Sequence, residues 1–335
     1  MLTLLARLLN RDGASIGLAL LAAVLILGAL NPSFLQPENL SAIAVQSVFI
    51  LIIALGMTFV LTAGAIDLSV GAVMGLSAGV TIFALQNGLG VLLACLAGLA
   101  TGSLFGALNG FLVTRLRLSD FIVTLATMGV ASGALQILCF YTPLKADGAG
   151  AFGWLAGGSV LAVPFPVILA VCLIGLLSLI LTRSAFGRRV QASGMSPAAA
   201  GFAGIDVGRT RRIVFVMSGL FSAVAGILLA SRLSSVQPAL GRGYELQAIA
   251  AAVLGGTSLA GGKGSVLGAG IAALLLAALS AGLQIVGVDP TWYQVVVGLS
   301  ILLAVAFHGW SGGFVERRLF TSPQRSATPV HVPSE

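Results

Sequence analysis

The chain reads as an all-α, polytopic membrane protein with about ten transmembrane helices and both termini in the cytoplasm. Three observations carry this. Of 335 residues, 58% are hydrophobic and 8% charged, against about 25% charged in a soluble domain. Polar surface is too scarce to cover the chain in water, so lipid is its solvent over most of its length. The apolar residues also fall into runs of about 17–25, the length that crosses a bilayer. Finally, the positive charges segregate between these runs as the positive-inside rule requires.

Taken in order, the first run is 16–31. It follows Arg7 and Arg11 like a secretory signal, but Asn31-Pro32-Ser33 is a poor small-residue cleavage site, so it is read as an uncleaved span. The second and third, 41–63 and 68–86, are parted only by Gly64-Ala65-Ile66-Asp67. Then come 89–113, 121–140, 160–182 and 213–231. The eighth, 246–261, is short and Gly-rich, and is expected to be broken or re-entrant. The ninth and tenth are 265–287 and 292–309. A single transmembrane domain therefore covers 1–320, with a cytoplasmic loop at about 183–212 and a polar tail, 321–335, that reads as disordered.

With the N-terminus inside and the sides alternating, fourteen of the seventeen Lys and Arg lie inside. They are Arg7, Arg11, Arg115, Arg117, Arg183, Arg188, Arg189, Arg209, Arg211, Arg212, Lys263, Arg317, Arg318 and Arg325; only Lys145, Arg232 and Arg242 fall outside. The net charge of +7 and the pI near 10.2 thus reflect orientation rather than nucleic-acid binding. Cys95, Cys139 and Cys172 sit in apolar runs without metal-ligand spacing, and His308 and His331 are isolated. No catalytic set, metal cluster or cofactor motif is present. The stretch Gly256 to Ser265 superficially resembles a phosphate loop, but Thr257 and Gly264 stand where Gly and Ser or Thr are needed. The chain is therefore not expected to hydrolyse ATP itself.

Gly71, Gly75 and Gly79 form one four-residue ladder, and Gly98, Gly102, Gly106 and Gly110 another. Each makes a smooth helix face, suited to close packing within the bundle or to a path or dimer contact. Asp67 is a carboxylate embedded in apolar sequence, a functional candidate by default. It also opens a helix, where a cap accepting backbone N–H groups explains it without function. Asn109, Thr124, Thr127, Gln136 and Gln284 are uncharged polar residues within spans, suited either to lining a solute path or to interhelical hydrogen bonding.

Four blocks resemble a known family. They are Gly56-Met57-Thr58 with Thr62-Ala63-Gly64-Ala65-Ile66-Asp67-Leu68-Ser69-Val70-Gly71; Leu108-Asn109-Gly110 with Phe121-Ile122-Val123-Thr124-Leu125; Leu254 to Ser265; and Tyr293-Gln294 with Gly298. In this order they resemble the permease subunits of ribose-type ABC sugar importers. The resemblance covers about residues 35–307 and implies the fold of those permeases. Departures fall at Met195, where the family usually has Asn, at Asp120, where it usually has Pro, and at Ser132, where it often has Arg; they leave the substrate open.

The resemblance implies transport of a small sugar across a bacterial inner membrane; the sugar is expected to be neutral, because no Arg or Lys falls within a span to meet an anion. It further implies three kinds of partner: a separate ATP-binding cassette subunit, a periplasmic sugar-binding protein, and a second permease chain, identical or related. It makes Gly194, Met195, Ser196, Pro197, Ala198, Ala199, Gly204 and Ile205 the coupling stretch that docks on the ATPase. The residues agree, since Ser196 suits a helix cap, Pro197 a first turn, and Gly201 and Gly204 a helix end. Asp67, Asn109, Thr124, Thr127 and Gln284 remain candidates for the path or a gate. A proton- or ion-coupled secondary transporter is the alternative, with Asp67 its best support.

Overall fold

A computed structural model describes residues 14–146, 150–289, 291–300 and 302. Helix α1 is Ala14–Leu30, followed by a single 3-10 turn, Pro32–Leu35, whose Ser33 N–H is accepted by the Asn31 side chain. Then come α2 (Pro37–Thr62), α3 (Val70–Gln86), α4 (Val91–Arg115) and α5 (Asp120–Cys139). A short α6 (Gly150–Gly157) precedes α7 (Phe165–Arg183), α8 (Ala185–Met195) and α9 (Pro197–Phe202). The chain continues with α10 (Val207–Leu233), α11 (Tyr244–Leu254) and α12 (Val266–Ile285), and residues 291–300 are helical again. Strands β1 (Leu144–Lys145) and β4 (Ser235–Val236) pair antiparallel, and β2 (Ser159–Val160) and β3 (Val163–Pro164) form a hairpin.

Helices α2, α4, α5, α7, α10 and α12 are each long and apolar enough to cross a bilayer. Helices α1 and α3, at 17 residues each, and α11, at 11, are apolar but shorter. Helix α2 is apolar all round, the mark of a helix enclosed by others. It sits at the centre, 89% of its apolar stretch buried, against α7, α10, α11 and α12. Only 22–28% of the corresponding stretches of α4, α5 and α7 is buried. Their outer faces carry Leu92, Leu104, Ile122 and Leu179, which hydrocarbon solvates as well as a protein core does.

The glycine ladders are packing surfaces of two kinds. On α4, a Cβ at Gly102 would strike the Gly219 carbonyl, one at Gly106 the Phe215 carbonyl, and one at Gly110 would lie 3.0 Å from the Arg212 Cα. Gly219 returns the contact at Gly102, so α4 and α10 touch backbone to backbone. On α3, Gly71 and Gly75 face a non-helical segment, the Leu240 and Gly241 carbonyls, whereas Gly79 faces Leu135 and Leu138 of α5.

Several expected boundaries move. The run 160–182 becomes helical only at Phe165, because Ser159 to Pro164 turns back on itself through Leu161 and Ala162 at φ of 51° and 64°. The run 246–261 is broken, as its shortness and glycines predict. Helix α11 stops at Leu254, and residues 255–265 form a loop with Gly256, Gly261 and Gly262 in the left-handed region. That conformation costs glycine little and other residues more. The third run begins at Val70 rather than 68, after an irregular stretch 63–69. Residues 303–309 of the tenth run, Arg7, Arg11, Arg317, Arg318, Arg325, His308, His331 and the tail 321–335 lie outside the described residues.

The bundle has two distinguishable ends. At one, the basic end, Arg115, Arg117, Arg183 and Arg209 to Arg212 flank the ends of α4, α7 and α10, and Lys263 follows the Gly262 that packs on Met195. At the other, the strand end, β1 pairs with β4, Gln86 Nε2 donates to the Lys145 carbonyl at 2.9 Å, and Ser231 Oγ donates to Phe152 O at 2.6 Å, tying down α6.

Candidate translocation path and coupling surface

The sequence 63–69 breaks helix geometry at Gly64, φ 70°, and turns back into the bundle. Arg211 holds this turn from α10, donating through Nε to Ala63 O at 3.3 Å and through Nη2 to Gly64 O at 3.1 Å. Asp120 holds it from α5, its Oδ2 accepting the Ile66 N–H at 2.7 Å. The turn therefore delivers Asp67 to a buried position, 1% exposed, between α4 and α10.

There Asp67 Oδ1 accepts from Ser69 N at 3.0 Å and Ser69 Oγ at 2.6 Å, while Oδ2 accepts from Ser218 Oγ at 2.8 Å. Asn109 Nδ2 donates to Ser69 Oγ at 2.9 Å, and among the described residues Asn109 Oδ1 accepts nothing. With a rise of 1.5 Å per residue, Asn109 lies about 9 Å and Ser218 about 16 Å from the basic ends of their helices. The Asp67 cluster is thus an intramembrane network of hydroxyl, amide and carboxylate groups linking three elements. The carboxylate bonds Ser69 two residues on, in the turn before α3, and Ser69 itself occupies the cap position.

Replacing Asp67 tests what the cluster does. Asn keeps an acceptor for Ser69, and the Ser218 hydroxyl can reverse to accept from the new amide. Asp67→Asn is expected to retain most transport and membrane accumulation. Asp67→Leu orphans buried donors at about 1–3 kcal/mol each, so accumulation in the membrane fraction should fall several-fold. Quantitative blotting alongside uptake reads both. Normal accumulation of Asp67→Asn with abolished uptake would instead assign Asp67 a charge-carrying role.

The other sequence candidates separate. Thr124 Oγ1 donates to Asp120 O at 2.8 Å and Thr127 Oγ1 to Val123 O at 3.0 Å, both within their own helix. Gln284 Nε2 donates to Ser280 Oγ at 3.4 Å and, with Asn39 and Gln46, lines a cavity of 290 Å³ between α2 and α12. Beyond α12, Asp289 Oδ1 accepts the Thr291 N–H at 2.8 Å and its hydroxyl as well, which holds the exposed carboxyl below its usual range.

A third feature is the segment 237–243. It leaves β4 at the strand end and runs down the glycine face of α3 until α11 begins at Tyr244. Gly241 and Gly243 take φ of 88° and 89°, and both Glu245 carboxylate oxygens accept the Gly243 N–H at 3.1 Å. Gly71, which abuts Glu245, is fifteen residues from Gln86, so the break lies about 22 Å below the strand end. The expectation that Arg242 stays outside, with no Arg or Lys within the apolar depth, is therefore corrected. Gly241 and Gly243 let the chain descend before it turns helical, and Arg242 goes with it. The signal was a charged pair beside two glycines, at the head of an apolar run too short to span. Ser218 gave no signal, being one serine in an apolar helix.

At the basic end, Ser184 Oγ accepts the Gly187 N–H at 3.0 Å to cap α8, and Ser196 Oγ accepts the Ala199 N–H at 3.3 Å to cap α9. Pro197 occupies the first turn of α9, and Gly204, φ 78°, ends it, with Ile205 N donating to Ala200 O at 3.0 Å. Met195, Pro197, Ala198, Ala199 and Phe202 are exposed, Phe202 at 94%. Gly194 is buried, pressed on the Thr62 carbonyl and the Gly262 nitrogen, and Gly262 N donates to Thr62 O at 2.9 Å. Helix α9 thus stands on a joint made of the end of α2 and the loop between α11 and α12.

This is a multi-pass, all-helical membrane architecture with a short exposed helix, α9, at its basic end. Residues 39–305 match the family described as branched-chain amino acid transport system / permease component, and the chain belongs to that family. It is 40% identical over 298 residues to the ribose import permease protein RbsC of Bacillus subtilis (strain 168), covering 89% of this chain and 92% of that one. It is 39% identical over 291 residues to RbsC of Escherichia coli (strain K12), covering 86% and 91%. The fructose import permease protein FrcC of Rhizobium meliloti is 35% identical over 303 residues, covering 88% and 83%. The resemblance read from the four blocks holds, and the gradient-driven alternative has no support from these relatives.

Proposed function

We propose that this chain is the membrane subunit of an ATP-binding-cassette importer in a bacterial inner membrane, moving a small neutral sugar delivered by a periplasmic binding protein. The observation that carries the proposal is α9: a solvent-exposed helix whose base is keyed into α2 and the α11–α12 loop. A six-residue helix is too short to persist on its own, and a partner packed on its exposed face would move the joint beneath it. ATP hydrolysis belongs to that partner, with Gly194, Met195, Ser196, Pro197, Ala198, Ala199, Gly204 and Ile205 forming the coupling stretch and Phe202 its apolar tip. The relatives' substrates, ribose and fructose, support a sugar. The carboxylate of Glu245, lining a cavity together with Arg242, supports a neutral one.

In this reading a single transmembrane domain carries the coupling loop at about 183–212. Ten crossings put both termini in the cytoplasm, the eighth being the segment 237–243 continued by α11. Two permease chains, identical or related, enclose the path. Asp67 and Asn109 secure its inner turn, Thr124 and Thr127 stiffen α5, and Gln284 faces the outward cavity.

Reporter fusions after Leu85 and Phe140 should read outside and one after Arg183 inside; an outside signal after Arg183 sinks this topology. Tagged protein purified gently from native membranes should carry with it an ATPase bearing a phosphate loop. Recovery of the permease alone under conditions that preserve other transporter complexes would count against the ATP-driven reading.

A further inference from the structure

Residues 237–243 are non-helical backbone at membrane depth. In hydrocarbon such a segment survives only where protein buries it or where it lines a water-filled cavity. Both occur here. One side is pressed on Gly71 and Gly75. The other borders a 450 Å³ cavity between α2 and α10, lined among others by Gln46, Arg232, Gln237, Arg242 and Tyr244. Across the segment lies a second cavity of 300 Å³, lined among others by Ser132, Arg242 and Glu245. Ala239, Leu240 and Arg242 border both. Gln46 also borders the cavity of Gln284, so polar side chains line the way from there to the head of α11.

We propose that the cavity at the head of α11 is a low-affinity polyol-binding site, in which Gln46, Gln237, Tyr244 and Arg242 bond sugar hydroxyls during passage. It rests on the sugar-import reading above and adds to it a site on the permease itself. The volume falls in the range of about 300–1,000 Å³ that holds small ligands. The chemistry also fits. Carboxamides both donate and accept, as sugar hydroxyls do, and the phenol does likewise. The guanidinium adds donors to hydroxyl lone pairs, and Glu245, which lines the neighbouring cavity with Arg242, supplies a nearby opposite charge that disfavours an anion. Weak binding is what a conducting site needs, since a solute held tightly does not leave. Arg242, bordering both cavities, is placed to pass the solute from one to the other.

The test uses the full chain in nanodiscs, without partners, and saturation-transfer NMR with ribose, fructose and leucine as probes. Ribose or fructose should give a signal that Gln46→Leu and Gln237→Leu each weaken about three- to tenfold, the effect of losing one neutral hydrogen bond. Both residues are exposed to the cavity rather than packed, so these variants fold, and Arg242→Gln provides a third arm. A sugar signal unchanged in all three variants overturns the site. Leucine binding without sugar binding, or no signal from any probe, overturns it as well. ATP-driven uptake in vesicles carrying the whole complex is scored separately: a nanodisc signal lost in the variants, with no sugar uptake by the wild type, upholds the polyol site and rejects the import reading.

Discussion

Gly194→Ala is expected to cut uptake about tenfold or more while leaving membrane insertion intact. A Cβ at Gly194 would strike the Thr62 carbonyl and sit 2.6 Å from the Gly262 nitrogen. All of these are backbone atoms, so no side chain can swing aside. Overpacking of this kind typically costs about 1–3 kcal/mol, and 1.4 kcal/mol is a factor of ten. The strain falls on the joint itself, where Gly262 N donates to Thr62 O, and relief requires α8 and α9 to lift away from α2. The spans are untouched, so protein level in the membrane should stay near normal. Gly201→Ala is the matched control. Nothing lies within 4 Å of a Cβ there and the residue is exposed, so the change only exchanges a poor helix former for a good one, a gain of up to about 1 kcal/mol. Sugar uptake per unit of membrane protein is the measurement. Equal activity of Gly194→Ala and Gly201→Ala would show that the joint does not transmit force.

The long apolar helices were legible because lipid makes hydropathy nearly sufficient: α2, α4, α5, α10 and α12 lie close to the runs read from composition. Helix α9 was legible because its signals are local, a Ser cap, a Pro in the first turn and a Gly stop. What escaped was non-local. The Asp67 network needs Ser218, 151 residues away, and a serine in an apolar helix carries no mark of its partner. The partner of the Gly71 and Gly75 face was also hidden, since small residues admit an extended chain as readily as a helix. Arg242 was misplaced because charge counting assigns a residue to a side of the membrane, not to a depth, and Gly241 and Gly243 were not read as the hinge that carries it inward. Asp120 stands where the family usually has proline, and its bond to the Ile66 N–H shows what a carboxylate does there that proline does not.

Ala199→Arg should abolish coupling without harming the fold. Ala199 is exposed on α9, and its backbone N–H, not its side chain, meets Ser196 Oγ. A long cation there costs the isolated permease almost nothing, because the Ala199 side chain is exposed. Against a docked ATPase it has no room, and burying an unpaired charge at an interface costs several kcal/mol. Ala203→Arg places the same insult at the far end of α9, beside Phe202. Phe202 is 94% exposed, a large apolar side chain held in water on a six-residue helix, which suits it as an anchor in a partner's pocket. Loss of such an aromatic anchor typically costs about 2 kcal/mol or more, so Phe202→Ala should weaken ATPase co-purification about thirtyfold. The three variants are read together by membrane protein level, ATPase recovered on the tagged permease, and sugar uptake in the same cells. Level should stay constant while the other two fall in parallel. If Ala199→Arg and Ala203→Arg leave ATPase recovery and uptake at wild-type values, the partner docks elsewhere on the basic end. The cavity lined by Arg117, Asp120 and Arg211 would then be the next surface to probe.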